Sequence, residues 1–150
     1  LIIDEEDLDE AIRDLVRIGF DRVAGYAEHE TLERYFEDGG EAASIPEIDW
    51  EGMRDVLAEG RGTVLDVRYR SEWNEGHVPD AVNASYTRLP EYGEKLAGDG
   101  PWLVHCRTGA RAAVAASYLA REGRDERYVS DLFETWESTY GAEREEAVPA

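Results

Sequence analysis

The start of the chain has its apolar residues at a helical spacing. Five of them follow the i, i+3, i+4, i+7, i+8 pattern of one helix face: Leu8, Ala11, Ile12, Leu15 and Val16. Residues 1 to 19 are therefore predicted to form an amphipathic helix. A short strand at Val23 to Tyr26 and an acidic helix at Glu28 to Glu37 are predicted to follow, and residues 41 to 46 resemble a linker.

Short apolar runs alternate with helix-period segments from residue 48 onward. The predicted strands are Ile48 to Trp50, Thr63 to Val67, Trp102 to His105 and Arg127 to Val129. The predicted helices are Met53 to Ala58, Glu72 to Glu75, Leu89 to Leu96, Ala110 to Arg121 and Leu132 to Tyr140. This alternation predicts an α/β domain whose mainly parallel sheet is covered by helices on both faces.

The only cysteine of the chain lies where a ligand site is expected in such a sheet. Cys106 directly follows a buried strand, and a short loop containing Gly109 leads from it into the next helix. Backbone N–H groups, the helix N-terminus, Arg107 and Arg111 all favour negative charge on the sulfur. Cys106 is therefore a candidate nucleophile, and the alternative is that it is a buried core thiol.

Composition narrows the possible partners and location. The 150 residues suffice for one compact domain and some additional chain, and 35 acidic against 16 basic residues give a net charge of −19. Such a surface disfavours nucleic acid and membranes as partners. The acidic composition is typical of proteins from salt-loving organisms and also fits an ordinary acidic protein. One cysteine excludes an internal disulfide and a second, resolving thiol. The single cysteine leads us to expect a reducing cytoplasm as its location, and no apolar run reaches membrane-spanning length.

Part of the opening segment recurs later in the chain. Ala11, Leu15, Arg17, Gly19 and Asp21 are repeated 104 positions on as Ala115, Leu119, Arg121, Gly123 and Asp125. An offset of about one domain length favours tandem modules, although two amphipathic helices can also match by chance. We expect residues 1–46 to be the tail of a preceding module with a linker, 47–142 to be the main domain, and 143–150 to be an acidic C-terminal tail.

Three motifs of the main domain follow one another in a familiar order. They are Leu65-Asp66-Val67-Arg68, then Glu72-x-x-x-Gly76-His77-Val78-Pro79-x-Ala81-x-Asn83, then Cys106-x-x-Gly109-x-Arg111. Together they resemble the signatures of the rhodanese sulfurtransferases, whose fold is shared with the Cdc25 phosphatases. Asp80 departs from the glycine usual in that family, and aspartate tolerates the left-handed turn expected there. Phe133 and Glu134 stand where the family usually carries two glycines.

The resemblance implies a rhodanese-like five-stranded parallel sheet and a sulfurtransferase that works without a metal or another cofactor. Cys106 would take a sulfane sulfur from thiosulfate or a small persulfide and pass it to a thiol or cyanide. The residues expected to bind the donor are Arg107, Thr108, Gly109, Ala110, Arg111 and Arg68. Asp66, Glu72 and His77 are expected to support them. Arg68 has an alternative role in a structural ion pair, and Arg111 in bracing the loop.

Loop length separates the related enzyme classes. The loop from Cys106 to Arg111 has six residues and ends in arginine, as in sulfurtransferases of this fold. Phosphatase loops are one residue longer, and here the next position is Ala112. Cdc25-like or arsenate-reductase-like chemistry is therefore a weaker alternative. A non-catalytic regulatory or interaction module is another.

Further expectations concern a partner domain, His105 and the tryptophans. The opening segment resembles modules found in fusions of a metallo-β-lactamase-type domain to rhodanese modules, so an upstream fused domain is expected as a partner. His105 is expected to point away from Cys106 because strand side chains alternate. The four tryptophans are expected to pack in or at the rim of the core: Trp50, Trp73, Trp102 and Trp136.

Overall fold

The computed structural model describes residues 1–17, 20–92, 96 and 100–144. The chain divides into two compact units, Leu1–Ala43 and Ser44–Ala150, which are described separately below. Among the described residues, no helix has the length and apolar character needed to cross a bilayer.

The first unit contains two helices, α1 (Glu5–Arg17) and α2 (His29–Glu37), which confirms both predicted helices. The end predicted for the first at residues 18 and 19 lies outside the described residues. The strand predicted at Val23 to Tyr26 is wrong, because these four residues form no strand or bridge, and the parallel bridge nearby joins Ile2 to Ala27. A ladder cannot extend from this bridge, since Ile2 lies only three residues before α1 begins.

The second unit contains five strands and the remaining helices. The strands are β1 (Glu47–Ile48), β2 (Thr63–Asp66), β3 (Val82–Asn83), β4 (Trp102–His105) and β5 (Glu126–Val129). The helices are α3 (Trp50–Ala58), α4 (Arg70–Glu75), a 3₁₀ turn (Tyr86–Arg88), α5 (Leu89–Tyr92), α6 (Ala110–Arg121) and α7 (Phe133–Tyr140).

The sheet has the order β1-β5-β4-β2-β3, and every pair of neighbouring strands is parallel. This confirms the predicted five-stranded parallel α/β fold. β4 pairs with β2 in a register that places His105 beside Asp66, so both strands end at the same edge of the sheet. Cys106 follows directly at that edge, where ligands bind in sheets of this kind.

Two apolar clusters cover the two faces of the sheet, because successive residues of β2 and β4 point to opposite sides. The first cluster, beneath α6, consists of Leu65, Val67, Ala84, Leu89, Leu96, Trp102, Val104, Cys106, Ala112, Ala115, Ala116 and Leu119. The second, beneath α3 and α7, consists of Trp50, Met53, Val64, Val78, Leu103, Val129, Phe133 and Trp136. All four tryptophans are buried, which confirms the packing role predicted for them.

Element ends differ from the prediction where side chains cap or interrupt a pattern. Trp50 is not the end of a strand: Asp49 accepts a hydrogen bond from the N–H of Gly52 at 2.7 Å and begins α3 at Trp50. β3 was not predicted because a two-residue strand carries no periodic signal. The helix predicted over Leu89 to Leu96 is described as helical from Leu89 to Tyr92, and residues 93–95 and 97–99 lie outside the description.

The predicted acidic tail begins with two residues that are hydrogen-bonded to the domain. Glu143 and His77 exchange two backbone hydrogen bonds of 2.8 and 2.9 Å. Arg144 donates to the carbonyl of Glu75 at 2.9 Å. These contacts place residues 143 and 144 within the hydrogen-bonded domain, while residues 145–150 lie outside the description.

Truncation of a buried side chain of α6 should destabilise the domain, and truncation of an exposed one should not. Leu119 is 2% exposed and Val114 on the same helix is 59% exposed. We expect Leu119→Ala to lower the free energy of unfolding by about 2–5 kcal/mol, since it leaves a cavity. Val114→Ala should change it by less than about 0.5 kcal/mol. Urea denaturation of both variants measures the difference, and equal losses would contradict the packing described for α6.

Candidate active site

The segment that links β4 to α6 contains Cys106 and leaves its own backbone donors available. In the described part of the chain, the N–H groups of residues 107–112 donate to no backbone carbonyl, and the first such bond of α6 runs from Ala113 to Gly109 at 2.8 Å. Cys106 itself is 1% exposed. Thr108 and Ala110 are exposed on the loop. The loop therefore provides free donors and a helix N-terminus next to a buried sulfur.

Gly109 lets this loop approach the connection between β5 and α7. Its φ of +87° lies in the left-handed region that favours glycine. A Cβ atom at this position would lie 3.0 Å from the Cα and 3.1 Å from the carbonyl oxygen of Ser130. Nearby, the N–H of Phe133 donates to the carbonyl of Arg107 at 2.9 Å. The loop is thus fixed at two points against the chain that follows β5.

Arg111 joins the loop to α4. Its guanidinium makes two hydrogen bonds of 2.7 and 2.8 Å to the carboxylate of Glu72, which also accepts from the N–H of Tyr69 at 3.2 Å. The hydrogen bond to Glu72 is the main cause that raises the pKa of Arg111, and the Cys106 sulfur raises it further. The same bond lowers the pKa of Glu72. Arg111 thus braces the loop through Glu72 and lies close enough to Cys106 for their charges to interact, and its role in binding the donor stays a prediction.

Arg68 forms a buried ion pair with Asp66. It is 3% exposed and donates to the carboxylate of Asp66 at 2.6 to 3.0 Å, to the carbonyl of Gly76 at 2.7 Å, and stacks 3.8 Å from the ring of Phe133. The amide of Asn83 donates to the carbonyls of Asp66 and Arg68. Arg68 therefore occupies the structural role considered for it, with Asp66 as its support.

Arg107 lies beside a small surface cavity. Its guanidinium donates to Glu134 at 2.6 Å, and both side chains are about half exposed. The cavity has a volume of about 80 Å³ and is lined by Arg68, Glu72, Glu75, Gly76, Arg107, Phe133, Glu134 and Glu137. No role was predicted for Glu134 from the sequence. The sequence does mark Glu134 in one way, because it stands at a position where the resemblance leads one to expect a glycine.

The two histidines near the site serve as packing groups. His77 stacks on Trp73 with ring centres 3.8 Å apart, and its Nδ1 lies 3.0 Å from the carbonyl of Trp73. His105 is fully buried against Trp50 and Phe133, on the face of the sheet opposite the first cluster, which contains Cys106.

The turn geometry predicted at Asp80 is confirmed by its φ of 58°.

Burial changes the titration of His105. Its Nε2 lies 3.5 Å from Asp66 and makes no hydrogen bond within the described part of the chain. Burial lowers the pKa of His105, and the charge of Asp66 opposes that effect. The imidazole is therefore held neutral against Trp50 and Phe133 rather than positioned as a base for Cys106.

The fold and the loop define a class of α/β domain that presents a cysteine at the carboxyl end of a central parallel strand. Residues 50–139 match the family model of the rhodanese-like domain, so the chain belongs to the rhodanese-like family.

Relatives and solved structures agree with this membership. Thiosulfate sulfurtransferase GlpE of Coxiella burnetii is 34% identical over 76 residues, which cover 50% of this chain and 71% of the relative. A sulfurtransferase of Allochromatium vinosum is 31% identical, over 53% of this chain and 75% of the relative. A rhodanese-related protein from Thermoplasma volcanium superposes with a TM-score of 0.61 at 26% identity, over 67% of this chain and all of that one.

The free energy of unfolding of the domain should fall as the pH is lowered below the pKa of free histidine. Because the pKa of His105 is lowered from 6.5 in the folded state, the unfolded state binds more protons below about pH 6.5. One such group contributes a slope of at most ~1.4 kcal/mol per pH unit. We expect His105→Gln to have a shallower loss of unfolding free energy between pH 6.5 and 5 than the parent. Identical slopes in urea titrations would contradict the neutral, buried state of His105.

Replacing Gly109 by alanine should lower the free energy of unfolding more than the same change at a glycine that has a similar φ but open space around it. Gly123 has a φ of +74° and nothing within 4 Å of the position that a Cβ atom would take, whereas a Cβ atom at Gly109 meets Ser130. Gly123→Ala should lose about 1 kcal/mol from backbone strain, and Gly109→Ala at least ~2 kcal/mol. Chemical denaturation compares them, and equal losses would show that the loop does not depend on this close approach.

Proposed function

We propose that this protein is a sulfurtransferase in which Cys106 carries sulfur as a persulfide. The Cys106 thiolate attacks the outer sulfur of thiosulfate or of a small persulfide. A new S–S bond forms to Cys106, the original S–S bond breaks, and its electron pair leaves with sulfite or with the donor's thiolate. An acceptor thiolate or cyanide then attacks the outer sulfur of the Cys106 persulfide, and the Cys106 thiolate is released.

The observation that carries this proposal is the set of unused backbone donors in the loop that follows Cys106. The N–H groups of residues 107–112 donate to no backbone carbonyl in the described part of the chain, and Arg111 lies close enough to Cys106 for their charges to interact. A persulfide places its negative charge on the outer sulfur, and such donors stabilise a charge that develops there. Relatives named thiosulfate sulfurtransferase support the same chemistry.

The phosphatase and arsenate-reductase alternatives are less well supported. Ala112 stands where a longer phosphatase loop would carry its arginine, and it is fully buried as part of α6. The chain has no second cysteine to resolve an arsenate-reductase intermediate. Both reactions would therefore lack a group that they need.

A non-catalytic interaction module is the second candidate, and two observations favour it. Cys106 is 1% exposed, and Arg68, Arg107 and Arg111 each have a carboxylate partner. On this interpretation the loop would be a structural remnant within a larger fusion protein. The sulfurtransferase proposal includes an upstream fused domain, a cytoplasmic location and a small thiol acceptor as further expectations.

Incubation with thiosulfate separates the two candidates. We expect the intact protein to gain about 32 Da on Cys106, the mass of one sulfur, and to form thiocyanate when cyanide is added. Cys106→Ser should show neither change while remaining folded. The measurements are intact-protein mass spectrometry and a thiocyanate assay. No mass gain and no thiocyanate would leave the interaction module as the better account.

A further inference from the structure

Each of the three arginines expected to bind an anionic donor is already paired with a carboxylate. The pairs are Arg68 with Asp66 at 2.6 Å, Arg111 with Glu72 at 2.7 Å, and Arg107 with Glu134 at 2.6 Å. A donor that enters this site therefore meets cations whose charge is largely compensated. The free backbone donors of the loop remain, and these suit a single charged sulfur.

Only one of these pairs is accessible enough to open for a substrate. Arg68 is buried and Arg111 is about one quarter exposed, whereas the side chains of Arg107 and Glu134 are 55% and 51% exposed. Exposed ion pairs contribute little to stability, so Arg107 can leave Glu134 at small cost. Arg107 also directly follows Cys106. Glu134 is consequently the group that competes with a donor for the accessible arginine.

The cavity beside Arg107 adds to this competition. Its lining includes four carboxylates and two arginines around a volume of about 80 Å³. The carboxylates are Glu72, Glu75, Glu134 and Glu137. A doubly charged donor is repelled more strongly by such a lining than a singly charged one.

We propose that Glu134 is a specificity-determining residue that makes the donor site favour singly charged sulfane-sulfur donors over the dianion thiosulfate. The favoured class is a persulfide of the form R–S–S⁻. The Cys106 thiolate forms a bond to its outer sulfur, the S–S bond of the donor breaks, and R–S⁻ leaves with the electron pair. This inference rests on the proposed sulfurtransferase function and names its donor class.

Glu134→Gln tests the inference with two donors that differ by one charge. Thiosulfate is a dianion, and methanethiosulfonate is a monoanion that also transfers a terminal sulfur. We expect the ratio of kcat/KM for thiosulfate to that for methanethiosulfonate to rise about fivefold in the variant, as removal of one nearby charge predicts. The ratio is measured by thiocyanate formation at fixed ionic strength, because salt screens such charges. Differences in the fraction of active protein cancel in a ratio.

Two controls assign the change to the pair with Arg107. Glu122→Gln removes the same charge from an exposed residue beyond the end of α6, and it should leave the ratio unchanged. In an Arg107→Gln background, Glu134→Gln should raise the ratio less than it does in the parent, because no guanidinium remains to be released. This double-mutant comparison responds to charge coupling rather than to a general structural role.

The outcomes distinguish failure of the inference from failure of the proposed function. If Cys106 gains sulfur from both donors but Glu134→Gln leaves the ratio unchanged, the inference is wrong and the sulfurtransferase function stands. The inference is equally wrong if Glu122→Gln raises the ratio to the same extent, or if the Arg107→Gln background makes no difference. If the parent protein gains sulfur from neither donor, both proposals are overturned.

Discussion

The buried ion pair between Arg68 and Asp66 holds together the chain segments on one side of the Cys106 loop. It lies at the carboxyl end of β2, and the same guanidinium reaches the carbonyl of Gly76 and the ring of Phe133. A buried charge is tolerated only when it is paired and hydrogen-bonded. Removal of either partner would leave the other uncompensated, so the position of these segments depends on the pair.

A consequence of this arrangement is that, under the proposed function, the site would hold negative charge chiefly through its backbone. Arg68 and Arg111 are paired with Asp66 and Glu72, and these pairs hold chain segments around the loop in place. Among the described residues, the N–H groups of the loop donate to no backbone carbonyl. Backbone donors are rigid and already oriented, so they stabilise a charged sulfur without further rearrangement. This is the physical basis on which we favour sulfur transfer over a purely structural loop.

The sequence predicted those parts of the fold that have a strong local signal. The strand before Cys106 and the helix after Gly109 were predicted because a buried run meets a glycine and an alanine-rich segment there. β3 has only two residues, and its pairing with β2 depends on contacts far along the chain. The assignment of Trp50 to a strand missed the cap at Asp49. Cys106 and its flanking arginines were proposed from the strand–loop–helix pattern, and the other motif residues from the resemblance. The partner of Arg107 required three-dimensional structure, since Glu134 lies 27 positions away.

The central claim is that backbone donors of the loop hold a sulfur bound to Cys106. A crystal structure of the protein after exposure to thiosulfate tests it most directly. We predict a second sulfur bonded to Cys106 and surrounded by N–H groups of residues 107–112 at hydrogen-bonding distance. An unmodified Cys106, or an added sulfur that contacts side chains while those N–H groups point elsewhere, would contradict the account.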